Sequence, residues 1–283
     1  FKVDGRDAWR ELRIAAWLHD CGKVTTPEYV VDKATKLDTL HNRIHALRTR
    51  FEVLWRDAEI EYLRLCQQQP EQQPQWQQQR DLKQQRLRDD FAFIAECNIG
   101  GEFLDDRKKA RLEQLAATTW QRHFDNRLGL SIAEQQRFTT PAQALPATEK
   151  LLHDGPEHII EREHDISYLH ELGITMEAPE YLYHRGELHN LSISRGTLTE
   201  EERFKINEHI IGTIRMLEAL PFPPELAAVP RYASTHHERM DGKGYPRGLS
   251  AEQLSIPERM LAVADVFEAL TASDRPYHTG KTL

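Results

Sequence analysis

From position 236 the chain reads HHERMDGKGYP, placing His236 beside His237 ahead of a glycine-rich turn that ends in Tyr245-Pro246. Successive residues on a helix point about 100° apart, so neighbouring histidines chelate a single ion less readily than an i, i+4 pair. Either the two serve different centres, or one of them is ordinary. Three other segments set hard or borderline ligands near apolar faces: His19 with Asp20, His209, and Asp265. Divalent metals take imidazole and carboxylate together, and two ions with a water between them form a hydrolytic centre for phosphate esters. Four neutral histidines and two aspartates around two divalent ions leave a formal charge of about +2, which suits a substrate with two phosphodiester anions.

A His-Asp dipeptide alone is weak. The chain has three: His19-Asp20, His153-Asp154 and His164-Asp165. Only the first ends an apolar helix and leads into Gly-Lys; the other two read as solvated helix ends. Asp265 sits in the mostly apolar run Ile256 to Ser273, where an unpaired buried carboxylate would cost several kcal/mol. Its bland explanation is an ion pair with Arg259 or with another helix.

The elements that must position these groups read as nearly all α. Trp9, Leu12 and Ala16 predict a helix from Arg6 to Leu18, stopped by Gly22 and Pro27. Ile44, Leu47, Phe51, Leu54, Ala58 and Leu65 keep a heptad-like rhythm that wants a partner helix. Nine of thirteen residues between Gln67 and Gln79 are Gln, a composition that cannot bury a core and reads as a polar tip or linker. A return helix follows, with Leu87, Phe91 and Ile94, and Gly100-Gly101 breaks it. Helical stretches are predicted near 106 to 124, 131 to 138 and 157 to 172. Thr199 with Glu202 makes a capping box for a helix striped by Ile206, Ile210 and Leu217, and a short helix is expected to carry Tyr232, Ala233, His236 and His237. No sustained period-2 alternation occurs.

Composition sets the outer limits. The 283 residues carry a net charge of -8 and 39% hydrophobic residues, a balance that suits a soluble chain and disfavours binding to a nucleic-acid duplex, which needs a basic face. No apolar run reaches membrane-spanning length. Cys21, Cys66 and Cys97 are widely spaced, with no CxxC, so a reducing cytoplasmic setting is expected. The chain opens on Phe and reads as a fragment of a longer protein.

The ordered series HDCGK (19–23), NEHIIGT (207–213), HHERMDGKGYP and VADVFEALTASDRPY (263–277) resembles the motif series of the HD-GYP phosphodiesterases, a branch of the HD-domain metal-dependent phosphohydrolases. The resemblance covers residues 6 to about 40 and 186 to 283. It implies an all-α HD-domain helical bundle holding two divalent ions, iron or manganese, and hydrolysis of cyclic di-GMP to pGpG, in some members onward to GMP, by a metal-bridging hydroxide. Other members of the family prefer the mixed cyclic GMP-AMP. Carried over motif by motif, His19, Asp20, His209, His236, His237 and Asp265 are the expected ligands, with Asp20 bridging. Lys23 is expected at the scissile phosphate, where its charge would stabilise the transition state. Arg275 is expected on the phosphodiester or a guanine, and Tyr245 and Pro246 shape the substrate loop. On the residues alone, Lys23 reads equally as a surface cation and Arg275 as one favoured by a helix C-terminus.

The chain departs from the family pattern in four ways. A further ligand His, usual before the HD motif, would precede Phe1. Glu268 stands where the family has Asp, and His278 where it has a basic residue. Most notably, His19 and His209 lie 190 positions apart, far beyond the family spacing, and a bridging motif close to K-x-x-K-L-T-x-E-E is split between DKATKLD (32–38) and SRGTLTEEE (194–202). Three segments are therefore expected: 1–42 and 186–283 as two parts of the catalytic domain, and 43–185 as a helical, partly coiled-coil-like insertion. The insertion would either dimerise or receive a signal, or be a passive elaboration, and a sensor domain is expected upstream. Two alternatives remain beside the cyclic-dinucleotide reading: an HD hydrolase of another nucleotide, such as a dNTP or an alarmone, and a catalytically inactive binding or scaffold module.

Overall fold

The computed structural model describes residues 5–101, 103–163 and 166–271. Arg275 and His164-Asp165 lie outside the described residues. In chain order, α1 (Arg6–Leu18) and the single turn α2 (Glu28–Val31) precede the long α3 (Ile44–Gln68) and α4 (Gln73–Ile99), then α5 (Asp106–Ala116). Next come β1 (Thr119–Arg122), α6 (Ile132–Gln136), β2 (Ala147–Lys150), β3 (Ile159–Ile160), α7 (Tyr168–Glu171) and β4 (Tyr183–His184). The last elements are α8 (Glu187–Leu191), α9 (Glu200–Asn207), α10 (His209–Glu218), α11 (Val229–Ala233) and α12 (Ile256–Thr271).

These elements form two compact units, one of residues 1–32, 162–182 and 200–283, the other of 33–161 and 183–199. In the first, Leu12 and Ala15 of α1 share a core with Leu217 of α10, Val229 and Ala233 of α11 and Leu261 of α12. The other side of α10 buries Ile210, Ile211 and Ile214 with Phe204 of α9, Leu169 and Ile174. Because α10 is buried on both sides, its first residue, His209, is held firmly in the interior, only 2% exposed.

In the second unit, α3 and α4 form a hairpin that closes its core with α5, Leu151, Leu152 and Leu191. The glutamine-rich stretch is the hairpin's tip, as expected. Most of it is nevertheless helical, because Pro74 falls in the first turn of α4, where its missing N–H is no loss. The two halves of the split motif meet in this unit. Lys36 Nζ donates to the carbonyls of Leu191 (2.9 Å) and Ile193 (2.8 Å), Lys33 Nζ to Asn190 Oδ1 (3.1 Å), and Thr197 Oγ1 to the Lys33 carbonyl (3.1 Å). Burial lowers Lys36 to about 8.

The structure is mostly helical, as expected, but four local expectations fail. The helix from 106 ends at Ala116, and the β-branched and aromatic run after it pairs β1 with β2. The span 157–172 is not one helix: Pro156 opens a short 3-10 turn, Ile159-Ile160 pair with Tyr183-His184, and only Tyr168–Glu171 is α. The helix meant to carry His236 and His237 stops at Ala233, so both lie in the turn beyond it. The apolar α12 was expected to be mostly buried; instead Leu261 is buried while Val263 (70%) and Val266 (56%) are exposed.

Candidate metal centre

The first unit brings His19, Asp20, His209, His236, His237 and Asp265 to one place. His19 is the residue that ends α1, its Nδ1 2.7 Å from the Ala16 carbonyl. His209 Nδ1 lies 2.6 Å from the Ile206 carbonyl and His236 Nδ1 2.8 Å from that of Ala233. A carbonyl can only accept, so in all three rings Nδ1 carries a proton and Nε2 is the atom turned inward, the one that binds a metal when the ring is neutral.

Those Nε2 atoms converge on Asp20. His19 Nε2 is 3.2 Å from Asp20 Oδ2, and His209 and His236 Nε2 are 3.3 and 3.8 Å from Oδ1. Asp265 approaches from α12, with Oδ1 3.8 Å from His19 Nε2 and Oδ2 3.7 Å from His237 Nδ1. Arg259 is not its partner, since that guanidinium donates to the carbonyls of Leu254 (3.0 Å) and Ala251. Two triads have ligand atoms within 4.8 Å of one another: His209, His236 and His237, and His19, Asp20 and His236.

These residues fit a cation. Asp20 Oδ1, His209 Nε2 and His236 Nε2 are buried without a hydrogen-bond partner, a costly arrangement for polar atoms unless something else binds them. Burial pushes Asp20 upward, but His19, His209 and Lys23 close beside it overcome that and hold the carboxyl far below the usual carboxylate range. Burial pushes His236 down to about 4 and lowers His237 also. Both are therefore neutral at pH 7, as metal binding requires. The hydrogen bonds to Asp20 and Asp265 raise His19 to about 10, a sign of how much negative charge the cluster concentrates.

Lys23 Nζ donates to Asp20 Oδ2 at 2.5 Å. With His19, Asp20, Asp265 and Glu268 it lines a cavity of about 350 Å³. The Tyr245 ring stacks on His237 at 4.7 Å between centroids, fixed by its N–H to the His237 carbonyl (3.2 Å). Burial raises its hydroxyl above the ordinary range. The Pro246 carbonyl accepts from Thr175 N at 2.8 Å, which anchors the loop.

The contacts of three supporting residues escaped the reading of the sequence. Gly22 lets the HDCGK turn touch α10: a Cβ there would lie 1.9 Å from the His209 carbonyl. Thr213 stitches the same contact, its Oγ1 accepting from Gly22 N (3.0 Å) and donating to the His19 carbonyl (3.1 Å). Glu238 is buried and accepts from Arg247 N (2.7 Å) and Leu249 N (2.8 Å), so its carboxylate holds the GYP loop closed. Its signal was its position, directly after the two histidines in a tight turn.

Residues 146–283 match the family model described as HD domain. Over 122 residues the chain is 36% identical to a 3'3'-cGAMP-specific phosphodiesterase of Vibrio cholerae, covering 40% of this chain and 27% of that one. It is 46% identical over 85 residues to a cyclic di-GMP phosphodiesterase of Pseudomonas aeruginosa, 30% of this chain and 20% of that protein. A cyclic di-GMP phosphodiesterase response regulator of Xanthomonas campestris matches at 30% over 208 residues, 73% of this chain and 48% of its own. The chain thus spans between a fifth and a half of the length of these curated relatives.

Proposed function

Starting from its membership of the HD-GYP phosphodiesterase family, we propose that this chain is a metal-dependent enzyme that opens a cyclic dinucleotide, cyclic di-GMP, to linear pGpG. The observation that carries the reading is the trio of orphaned buried atoms on Asp20, His209 and His236, which asks for cations where the relatives' names ask for a phosphodiesterase.

His19, Asp20, His209, His236, His237 and Asp265 would hold two divalent ions, iron or manganese, with Asp20 shared between them. Ions held there would supply Lewis-acid polarisation of the phosphate and activation of water. The protein's own part is positional. Backbone carbonyls of Ala16, Ile206 and Ala233 fix the three imidazole tautomers. Lys23, at the rim beside Asp20, would meet a non-bridging phosphate oxygen and stabilise charge there. Tyr245, seated on His237 by a loop that Glu238 closes, and Pro246 would border the substrate, and Arg275 would hold its phosphodiester or a guanine.

The meeting of Lys33 and Lys36 with Asn190 to Thr197 supports reading the residues between them as an insertion into a catalytic domain, either dimerising or signal-receiving, or a passive elaboration. The spacing of the three cysteines favours a reducing, cytoplasmic setting, and no described helix is long and apolar enough to cross a membrane. Cyclic di-GMP, 3'3'-cGAMP, a dNTP and a guanosine tetraphosphate alarmone offered to the manganese-loaded protein would test the substrate class. Turnover confined to the cyclic dinucleotides is the expected result; turnover of the dNTP or alarmone alone, or of none, would overturn the proposal.

A further inference from the structure

The second unit carries a cavity of about 470 Å³ at the edge of the β1–β2 ribbon, inside the size range of small-molecule sites, about 300–1,000 Å³. The residues that line it include Arg43, Arg50, Arg122, Arg137, Lys150 and Arg185. Against these six cations stand four carboxylates, Glu134, Glu149, Glu157 and Glu187, so the pocket is cationic in a chain whose net charge is -8.

Each carboxylate is already engaged. Glu187 accepts from Arg50 (2.6 Å) and from His153 N (2.9 Å), and Glu149 from Arg122 (2.8 Å). Glu157 meets His153 Nε2 at 2.9 Å, and Glu134 accepts from Ser131 N (2.9 Å) and Oγ (2.7 Å) in the cap of α6. No ion pair among the described residues involves Arg137 or Lys150, although Arg137 lies close enough to Glu134 to help lower that carboxyl. His158 Nδ1 accepts from Gly155 N at 3.2 Å, which leaves the proton on Nε2 and makes that atom a donor. Trp120 also lines the cavity, with its indole Nε1 buried without an acceptor. Charged and neutral donors thus outnumber acceptors.

We propose that this pocket binds a phosphate ester of mononucleotide size, with the phosphate on the Arg137 and Lys150 side. His153, Glu157 and His158 also bring ligand atoms within 4.8 Å of one another. A metal there is disfavoured, because the Gly155 bond protonates His158 on Nε2 and guanidinium groups crowd the wall. The cavity is several times larger than a free phosphate ion fills, which favours an organic ester.

The test is calorimetric titration of GMP and of inorganic phosphate into the full chain, in wild type, Arg137→Ala, Lys150→Ala and Asp20→Ala. Thermal melts confirm that each variant folds. The expected result is GMP binding that survives Asp20→Ala, weakens about tenfold or more in both cation variants, and exceeds that of phosphate. Absence of GMP binding at millimolar concentration would overturn the proposal. So would binding lost in Asp20→Ala but kept in both cation variants, phosphate binding as tight as GMP, or zinc alone raising the melting temperature through His153 and Glu157.

Discussion

Each unit gathers histidines and carboxylates whose ligand atoms lie within 4.8 Å, yet the two clusters are wired in opposite ways. Around Asp20 the rings of His19, His209 and His236 donate outward from Nδ1 to backbone carbonyls, and the inward atoms Asp20 Oδ1, His209 Nε2 and His236 Nε2 are left without partners. Around Glu157 the inward atoms are used up: His153 Nε2 on Glu157, His158 Nδ1 on the Gly155 N–H. Asp154, the acid of the second His-Asp pair, is spent on the N–H groups of Leu188 and His189 at the start of α8. What separates a metal site from a polar cluster is therefore the direction of the donors, which residue types alone do not reveal.

The sharpest way to break this contrast is to remove one ring from each cluster. His209→Ala is expected to lower cyclic di-GMP turnover by about 10²-fold or more, whereas His153→Gln should leave it within about twofold. Steady-state pGpG release reads both, and equal losses would contradict the contrast.

The next largest effect concerns support. Gly22→Ala forces a Cβ against the His209 carbonyl and is expected to cost about 2–3 kcal/mol by urea unfolding. Gly101→Ala in the other unit meets nothing within 4 Å and should cost far less. Comparable losses would mean that the HDCGK turn does not rest on α10. Glu238→Ala removes the acceptor of two loop N–H groups, a loss of about 1.5–3 kcal/mol, visible in melting temperature and in a raised KM; an unchanged KM would detach the GYP loop from the substrate.

Much of this was legible in the sequence, and the failures have a common cause. The helix Arg6–Leu18, the α3–α4 hairpin and the gathering of the six candidate ligands follow from apolar periodicity and motif order, both local signals. The strand pairs were missed because two- and four-residue strands are too short to show alternation, and their partners lie far along the chain. Thr213 and Gly22 were missed because their role exists only where a turn meets a helix 191 positions later. The compact units cut the chain at 32, 161, 182 and 199, since Lys33 and Lys36 bury their ammonium groups against carbonyl and amide oxygens that no sequence window contains.

The smallest expected effect lies in the His153–Glu157 pair. Its hydrogen bond raises His153 above the ordinary 6.5 and lowers Glu157 below the ordinary 4.5. The His153 contribution is complete below 6.5 and lost as pH rises through its folded value. That of Glu157 is complete above 4.5 and lost as pH falls through its folded value. The pair thus stabilises most between about pH 4.5 and 6.5. Partial exposure keeps the amount under about 1 kcal/mol. Glu157→Gln should flatten that part of the stability profile measured by chemical denaturation, and an unchanged profile would show the pair to be inert.

The central claim is that Asp20 and the rings around it hold the metal that the chemistry requires. Elemental analysis paired with pGpG release from cyclic di-GMP, in wild type and Asp20→Ala, tests it most directly. The account predicts about two iron or manganese ions per wild-type chain, and loss of both metal and turnover in the variant. Turnover retained in Asp20→Ala, or an active protein free of metal, would contradict it.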